Sequence, residues 1–330
     1  MKIGLIDVDG HNFPNLALMK ISAYTKNMGH TVGWYDENAG NYDEVYMSKV
    51  FSDIYTPDYT KPIHAEKITR GGTGYCIELK DGKEIFHPEN NTPLPYEVEH
   101  TYPDYSLYPQ YTGYGKSHKQ QTAYGFLTRG CPRGCGFCHV APKEGRKSMK
   151  VANLDEFWNG QGNICLSDPN ILACKESPEL LQQLIESKAK VEFNQGLDAR
   201  LIDEKKAKLL SSMNLKLPHF AMDSMSVVEP VKKGLQNYVN AYKEIHGKWN
   251  WRNAKVFVLT NYDTTFEEDM ERIRVIQECE CWAYVMIYNK PSAPSIIRRL
   301  QRWTNNAICY GKTHDFMEYQ EHNYKTVLTN

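Results

Sequence analysis

The sequence predicts an α/β protein built on parallel sheets, and two observations support this prediction. From residue 123 onward, six short β-rich runs recur along the chain, and amphipathic helical patterns lie between the later runs. The N-terminal third repeats the alternation on a smaller scale, with a strand-like run at 2–8 followed by a helical pattern. Strands that alternate with helices form parallel sheets with right-handed crossovers, so the later part is either doubly wound or curled into a barrel.

The N-terminal elements predict a small flavodoxin-like α/β domain over residues 1–85. A buried-strand run precedes a helix, and two further strand runs follow it. Residues 86–122 then read as a linker, because they are rich in proline and tyrosine. The strand runs are "KIGLIDV", "TVGWYD" and "EVYMSKVF", the helix is marked by Leu16, Met19, Ile21 and Tyr24, and the linker contains "LPYEVEHTYPDYSLYP".

The region 123–330 is predicted to form the second domain. Its clearest helix is amphipathic, and another begins at Ser177 with an N-cap, a proline at the first helical position and an acid. The strand runs are "AYGFLTRG", "NICLSD", "KVEFNQ", "LPHFAMD", "AKVFVLTN" and "CWAYVMIYN", and the amphipathic face carries Val231, Leu235, Tyr238, Tyr242 and Ile245.

Composition indicates a soluble protein, which we expect to be cytoplasmic. No apolar run is long enough to span a membrane, and the N-terminus lacks an export signal. The chain has nine cysteines, which suit a reducing compartment. Its net charge of −1 does not indicate nucleic-acid binding. Between Lys116 and Lys150, however, eight basic residues face one acid, Glu144, so this stretch either attracts an anionic partner or forms a solvated face.

The stretch "TRGCPRGCGFCHV" at 128–140 is the strongest chemical signal. Its last cysteine pair with His139 matches the C-x-x-C-H pattern of covalent haem, but that chemistry normally follows export. A structural zinc site would need a second ligand pair, which the sequence does not offer. Three thiolates at spacings of three and two, Cys131, Cys135 and Cys138, suit three irons of a cubane cluster and leave the fourth iron open.

These residues resemble a named family. The pattern C-x-x-x-C-x-x-C with an aromatic residue, Phe137, before the last cysteine is the signature of the radical S-adenosylmethionine (radical SAM) superfamily. The resemblance implies a 4Fe-4S cluster whose open iron chelates S-adenosylmethionine (SAM) and cleaves it to a 5'-deoxyadenosyl radical. It also implies a reductant such as flavodoxin or ferredoxin. Among the alternatives left open by the parallel sheet, it selects a partial (β/α)6 TIM-like barrel.

A barrel of this kind gathers its site at the carboxyl ends of the strands, where this sequence is polar. The resemblance places Phe137 near the adenine of SAM and the ends of the fourth and fifth strands near its ribose. The family usually has Gly-Gly-Glu after the second strand, whereas this chain has "SDPNIL", so Asp168 is the expected substitute for the amine ligand. The candidate residues for SAM binding are Phe137, Asp168, Asn170, Gln195, Asp198, Arg200, Asp223, Ser224, Thr260 and Asn261.

An N-terminal α/β domain, a "PDYSLYP" linker and the cysteine loop together resemble the cobalamin-binding branch of the superfamily. That branch has Asp-x-His-x-x-Gly, Ser-x-Leu and Gly-Gly, and the matching residues here are Asp9, His11, Ser48 and Gly71-Gly72. His11 is therefore the candidate cobalt ligand. Pro14 and Val50 replace the motif's glycine and leucine, and Pro14 fixes its backbone where the glycine would be free to turn. We therefore expect a degenerate domain that does not bind cobalamin.

The leading functional hypothesis is a radical SAM enzyme that abstracts hydrogen from a substrate the sequence does not identify. One alternative is a cobalamin-dependent radical SAM methyltransferase. Another is a non-catalytic iron-sulfur protein of electron transfer, although polar residues at six strand ends favour an enzyme with a second cofactor pocket.

Overall fold

The fold was analysed in a computed structural model, which describes residues 1–10, 12–80, 83–313 and 315–320. It contains two compact units. The first comprises Met1–Glu176 and Ser187–Lys190, and the second comprises Ser177–Glu186 and the described residues from Val191 onward. The division at residues 85 and 122 stays a prediction. No helix in the described part of the chain is long and apolar enough to cross a membrane.

The first unit begins with a four-stranded sheet whose order is β2-β1-β3-β4, with all neighbours parallel. Asn15 caps the single helix of this region by accepting a 3.2 Å hydrogen bond from the Leu18 backbone N–H. Buried Ile6, Val45 and Met47 form part of its core. The elements are β1 (Lys2–Asp7), α1 (Leu16–Asn27), β2 (Thr31–Trp34), β3 (Tyr42–Ser48) and β4 (Ala65–Gly71).

Two of the three connections between strands of this sheet lack the helix that an ordinary α/β unit would have. Residues 35–41 and 49–64, all of which the structure describes, contain no helix. The second connection carries Pro57 and Pro62, and each proline removes a backbone donor, so no helix can run through the whole segment. The parallel α/β sheet is therefore confirmed. The described connections between its strands contain fewer helices than the flavodoxin-like domain that the sequence predicts.

The segment predicted as a linker is packed against α1. Asp104 accepts hydrogen bonds from the Ser22 hydroxyl at 2.7 Å and from the Lys26 ammonium at 2.6 Å. Lys20 forms a 3.0 Å ion pair with Glu99. This segment contains the short helices α2 (Tyr96–Glu99) and α3 (Pro109–Thr112), and an antiparallel pair of strands, β5 (Ile77–Lys80) and β6 (Lys83–Phe86), comes before it.

The remainder of the first unit contains the first two of the six predicted strands. These are β7 (Thr122–Gly125) and β10 (Asn163–Leu166), which pair in parallel. Between them lie β8 (Thr128–Arg129), α4 (Val140–Glu144) and β9 (Met149–Lys150), and β8 pairs with β9 in antiparallel fashion. The predicted cysteine motif falls between β8 and β9.

The second unit supplies the other predicted strands and their helices. Strands β12, β13 and β14 form a parallel sheet in that order. The described strands fall into separate sheets and do not close into a barrel, so the partial barrel stays a prediction. The elements are α5 (Ser177–Ser187), β11 (Lys190–Phe193), α6 (Glu204–Ser212), β12 (His219–Ala221), α7 (Val228–His246), β13 (Lys255–Thr260), α8 (Phe266–Glu278), β14 (Trp282–Ile287), α9 (Ser295–Asn305) and α10 (Ala307–Lys312).

Candidate iron-sulfur and cofactor site

Hydrogen bonds hold together the two ends of the cysteine loop, residues 130–148. The Cys131 backbone N–H donates to the Gly145 carbonyl at 3.1 Å, and the Gly130 N–H donates to the Glu144 carboxylate at 3.0 Å. Gly130 has a φ of +85°, and a Cβ at this position would lie 2.2 Å from the Lys147 carbonyl oxygen. Only glycine fits there, so the two ends of the loop can approach while the thiols remain between them.

The three predicted ligands, Cys131, Cys135 and Cys138, are half-buried, and none of the chain's nine cysteines, all of which the structure describes, is in a disulfide. The Cys138 N–H donates to the Cys135 carbonyl at 3.0 Å. Burial raises the pKa of the Cys138 thiol, and the nearby charges of Cys131 and Glu144 raise it further. These contacts place the thiols on one short loop.

Within the described residues, no three His, Cys, Asp or Glu side chains form a group able to hold a metal ion. The fit of the loop to a cluster therefore depends on the chemistry of its donors. Three thiols at spacings of three and two match the protein ligands of a cubane with one open iron. The competing chemistry, zinc, would need a fourth protein donor in a closed tetrahedron.

Asp168 and Asn170 lie beside the loop, in different roles. The Asp168 carboxylate accepts hydrogen bonds from the N–H groups of Leu127 and Thr128 and from the Thr128 hydroxyl, at 2.6 to 3.2 Å. It is 2 % exposed, and burial raises its pKa to about 6. The Asn170 amide donates to the Cys131 sulfur at 3.6 Å. Asp168 thus braces the segment that leads into the loop, and its expected role toward the SAM amine stays a prediction.

Glu144 is a site residue that sequence reasoning did not identify. Its second carboxylate oxygen pairs with Arg129 at 3.0 Å, and the Arg129 guanidinium lies 3.8 Å from the centroid of the Phe126 ring. Arg129 also reaches Glu99 at 3.4 Å. The available signal was that Glu144 is the single acid among eight basic residues between 116 and 150.

The hairpin of β5 and β6 contacts the far end of the loop. His139 forms a 3.1 Å hydrogen bond with Glu84, and its ring stacks on Phe86 with centroids 5.6 Å apart. Lys143 donates to the Thr73 hydroxyl at 2.6 Å. These partners lie 53 to 70 residues apart in sequence, and no local pattern connects them. His139 is therefore engaged with a carboxylate and an aromatic ring, which explains it without haem.

The other predicted SAM residues belong to the second unit. Gln195 is exposed just beyond β11. Asp198 and Arg200 form a bidentate pair with each other, at 2.6 and 3.0 Å, and Asp198 also caps the short helical turn that follows. The two opposite charges of this pair therefore satisfy each other.

The residues after β12 and β13 make mainly structural contacts. Asp223 accepts a 3.2 Å hydrogen bond from the Leu259 N–H, and burial raises its pKa. Thr260 is fully buried and donates to the Met286 carbonyl at 3.3 Å. Ser224 shares a 2.6 Å hydrogen bond with Ser226, and the Asn261 amide donates to the Tyr288 carbonyl at 2.8 Å.

Arg272 was also missed by sequence reasoning. It is fully buried, pairs with buried Asp269, and donates to the carbonyls of Met222 and Leu259 at 2.8 and 3.0 Å. One guanidinium thus ties together the carboxyl ends of β12 and β13. A charged residue on a helix gives no sequence signal of burial, because most arginines on helices face solvent.

His11, the candidate cobalt ligand, lies outside the described residues. Among the described residues of the motif, the carboxylate of Asp9 accepts hydrogen bonds from the N–H groups of Val50 and Phe51. Gly72, which follows β4, has a φ of +102°, and a Cβ there would lie 2.2 Å from the Lys49 carbonyl oxygen. The glycine of this motif is therefore required by the approach of the protein's own backbone.

Tyr108 and Asn15 complete this carboxyl edge of the N-terminal sheet. The Tyr108 hydroxyl donates to Asp7 at 2.6 Å, and burial raises the pKa of both groups. The Asn15 amide donates to the Ser48 hydroxyl at 2.8 Å. The described residues of the cobalamin-like motif are consequently bonded to one another and to neighbouring backbone.

No family model matches this chain, and no curated protein matches it by sequence. Its fold, in contrast, is that of a solved class of enzymes. One similar structure is the radical S-adenosylmethionine methyltransferase TsrM from Kitasatospora setae with cobalamin and a 4Fe-4S cluster bound, which aligns at a TM-score of 0.57 with 10 % identity over 87 % of this chain and 72 % of that chain.

A second structure of TsrM, with its tryptophan substrate and a SAM analogue bound, aligns at a TM-score of 0.55 with 10 % identity and the same coverage. At this identity the likeness concerns the fold. The resemblance to radical SAM enzymes expected from the cysteine motif therefore agrees with the fold over most of the chain.

Proposed function

We propose that this protein is a radical SAM enzyme whose Cys131, Cys135 and Cys138 hold a 4Fe-4S cluster. The observation that carries the proposal is a three-thiol loop whose ends are held together by hydrogen bonds, between β8 and β9 and shortly after the parallel strand β7, in a chain with the fold of such an enzyme. When bound, the cluster supplies one electron that cleaves SAM into methionine and a 5'-deoxyadenosyl radical.

The chain's own residues hold and tune this site. The Asn170 amide donates to the Cys131 sulfur, and a hydrogen bond of this kind stabilises thiolate charge and raises a cluster's reduction potential. Asp168 fixes the backbone that enters the loop, and Glu144 fixes its exit. The basic residues of 116–150 offset thiolate charge and favour an acidic reductant of the flavodoxin or ferredoxin type.

Cobalamin-dependent methyl transfer is the reaction that we favour over simple hydrogen abstraction. TsrM, which shares the fold, is a methyltransferase seen with cobalamin. The strand order 2-1-3-4 equals the start of the flavodoxin-like order, and Asp9, His11, Ser48 and Gly71-Gly72 follow the order of the cobalamin motif. The expectation from the sequence that cobalamin does not bind lacks support from these similar structures, and we replace it with the proposal that it does.

One observation favours hydrogen abstraction without cobalamin as a second candidate. The carboxyl edge of the N-terminal sheet is occupied by its own chain, with Gly72 against the Lys49 backbone and Asp9 on the Val50 and Phe51 amides. Lys49 itself is 2 % exposed. A bound cobalamin would need this edge to open.

The radical SAM assignment is tested by reductive cleavage. Anaerobically reconstituted, dithionite-reduced protein mixed with SAM should release 5'-deoxyadenosine and methionine slowly even without substrate. The paramagnetic resonance signal of the reduced cluster should change when SAM is added. Absence of both products together with an unchanged signal would identify an electron-transfer protein instead.

The cobalamin assignment is tested by titration with hydroxocobalamin followed by visible absorbance. His11→Ala should weaken binding, whereas His64→Ala, which removes an exposed histidine of the same region, should not. Binding through a neutral imidazole should weaken as the pH falls through about 6.5. If the wild-type protein does not bind cobalamin but still cleaves SAM, hydrogen abstraction becomes the favoured reaction.

A further inference from the structure

The second unit contains a cavity that none of the functions above uses. It lies at the outer edge of β14, where Gln301 and Asn305 of α9 bond to the backbone of Val285. Its volume is about 500 Å³, within the range of small-molecule sites. The residues that line it are Tyr284, Lys290, Arg298, Gln301, Arg302 and Asn305.

The cavity is strongly cationic. Among the described residues that line it, three carry positive charge and none is an acid. Neither Lys290 nor Arg302 forms an ion pair with a carboxylate in the part of the chain that the structure describes. The surrounding segment, 289–313, has five basic residues and no acidic residue, although the whole chain has a net charge of −1. Unpaired cations that converge on one concave surface attract an anion.

Two features make the cavity more than a charged surface. The Arg298 guanidinium donates to the carbonyls of Lys290 and Pro291 at 3.2 and 2.9 Å, so the loop that carries Lys290 is fixed to α9. Tyr284 presents a half-buried ring whose neighbours are Lys255, 4.5 Å from its centroid, and Phe257, at 5.6 Å. The cations of the cavity, of which the Arg298 guanidinium is held in place by hydrogen bonds, therefore lie beside an aromatic side chain.

We propose that this cavity binds the phosphate of a nucleotide or of a nucleic-acid strand. Arginine's planar fork matches phosphate oxygens, and Tyr284, whose ring Lys255 covers on one side, adds an aromatic contact for a base. The amides of Gln301 and Asn305 are already bonded to Val285, so charge rather than amide recognition dominates the site. The proposal does not depend on the cluster or on cobalamin.

The experiment uses the full-length, reconstituted protein and three probes. These are inorganic phosphate and AMP, measured by calorimetry, and a fluorescein-labelled single strand of about twelve nucleotides, measured by anisotropy. The test variant is Lys290→Gln with Arg302→Gln. The control is Lys233→Gln with Arg274→Gln, which removes the same charge from α7 and α8, away from the cavity lining. Iron content and circular dichroism confirm that each variant is folded.

The wild-type protein should bind at least one of the two nucleotide probes, and the test variant should lose about tenfold in affinity while the control loses less than about twofold. If the strand binds, its salt dependence should fall by about one unit of slope for each cation removed. Binding of AMP without the strand identifies a nucleotide, and tighter binding of the strand identifies nucleic acid.

Two results would overturn the proposal. One is that neither AMP nor the strand binds to the wild-type protein. The other is that the test and control variants lose affinity equally, because the attraction would then come from general charge. Both readouts are independent of SAM cleavage, so a failure here leaves the radical SAM proposal intact, and the reverse also holds.

Discussion

In two sheets of the first unit, a carboxylate accepts two successive backbone N–H groups just beyond a strand, but the chain that follows differs between the two. After β1, the carboxylate of Asp9 accepts two successive backbone N–H groups, from Val50 and Phe51, just beyond the neighbouring β3. After β10, the carboxylate of Asp168 does the same for Leu127 and Thr128, beyond the neighbouring β7. In both sheets a carboxylate satisfies amide donors where parallel pairing ends.

The two regions differ in what the chain does next. Beyond β3 the backbone packs against the chain that follows β4. Gly72 has no Cβ, so it can lie close to the Lys49 carbonyl oxygen. Beyond β7 the chain enters the cysteine loop, whose ends are pinned but whose three thiols are half-buried. The described N-terminal edge is thus closed by its own backbone and would have to open to admit cobalamin, whereas the cysteine loop keeps its three thiols out of disulfides.

The largest expected effect is on the cysteine loop. Changing Cys131, Cys135 and Cys138 together to alanine should lower the iron and sulfide content of reconstituted protein from about four of each per chain to none. SAM cleavage should disappear with it. The matched control changes the buried thiols Cys165, Cys279 and Cys281 to alanine, and it should keep the cluster. Full iron retention in the variant without Cys131, Cys135 and Cys138 would show that these cysteines do not hold the cluster.

The next effect concerns the closed N-terminal edge. Gly72→Ala should lower the free energy of unfolding by about 3 kcal/mol, because it combines an unfavourable positive φ with a backbone clash. Gly40→Ala is the control, since Gly40 has a φ of +76° and an added methyl group would have no neighbour within 4 Å, so it should lose only about 1 kcal/mol. Equal losses in urea denaturation would show that the edge is not tightly closed.

A third effect concerns Asp168, whose carboxylate holds the backbone that leads into the cysteine loop. Its contribution to the unfolding free energy depends on pH. Burial raises the pKa of Asp168 from 3.8 to about 6, so between these values the folded state binds more protons than the unfolded state. The unfolding free energy contributed by this group therefore falls, by about 2 to 3 kcal/mol, as the pH rises from about 4 to about 6. Asp168→Asn should lack this fall.

The measurement is urea denaturation of the protein without its cluster, across that pH range. Exposed Asp155→Asn is the control and should retain the wild-type profile. If the wild-type and Asp168→Asn profiles run parallel, the carboxylate is not buried as the structure shows.

The smallest expected change in unfolding free energy is again at the carboxyl edge of the N-terminal sheet. Tyr108→Phe removes the hydroxyl that donates to Asp7 and should cost about 1.5 kcal/mol of unfolding free energy. Loss of this bond should also raise the pKa of Asp7 further, because the hydroxyl stabilises the carboxylate. Exposed Tyr114→Phe should change stability by less than about 0.5 kcal/mol. A Tyr108→Phe variant as stable as this control would argue against the bond.

The sequence by itself predicted the strands after residue 123 and the spacing of the three cysteines. All six strands predicted from residue 123 onward are present, because β-rich runs between turn residues are a local signal. The cysteine spacing is equally local. The resemblance drawn from that spacing agrees with the fold over 87 % of the chain.

Only the tertiary structure decided how these parts are held. The roles of Asp168, Glu144 and Glu84 depend on partners 14 to 55 residues away, and buried Arg272 looks like any helical surface arginine in the sequence. The cavity at β14 gathers Tyr284, Lys290 and Arg302 from a strand, a loop and a helix. Periodicity records which face of an element is apolar, but distances between elements are set by packing, so polar partners across the fold leave no pattern in the sequence.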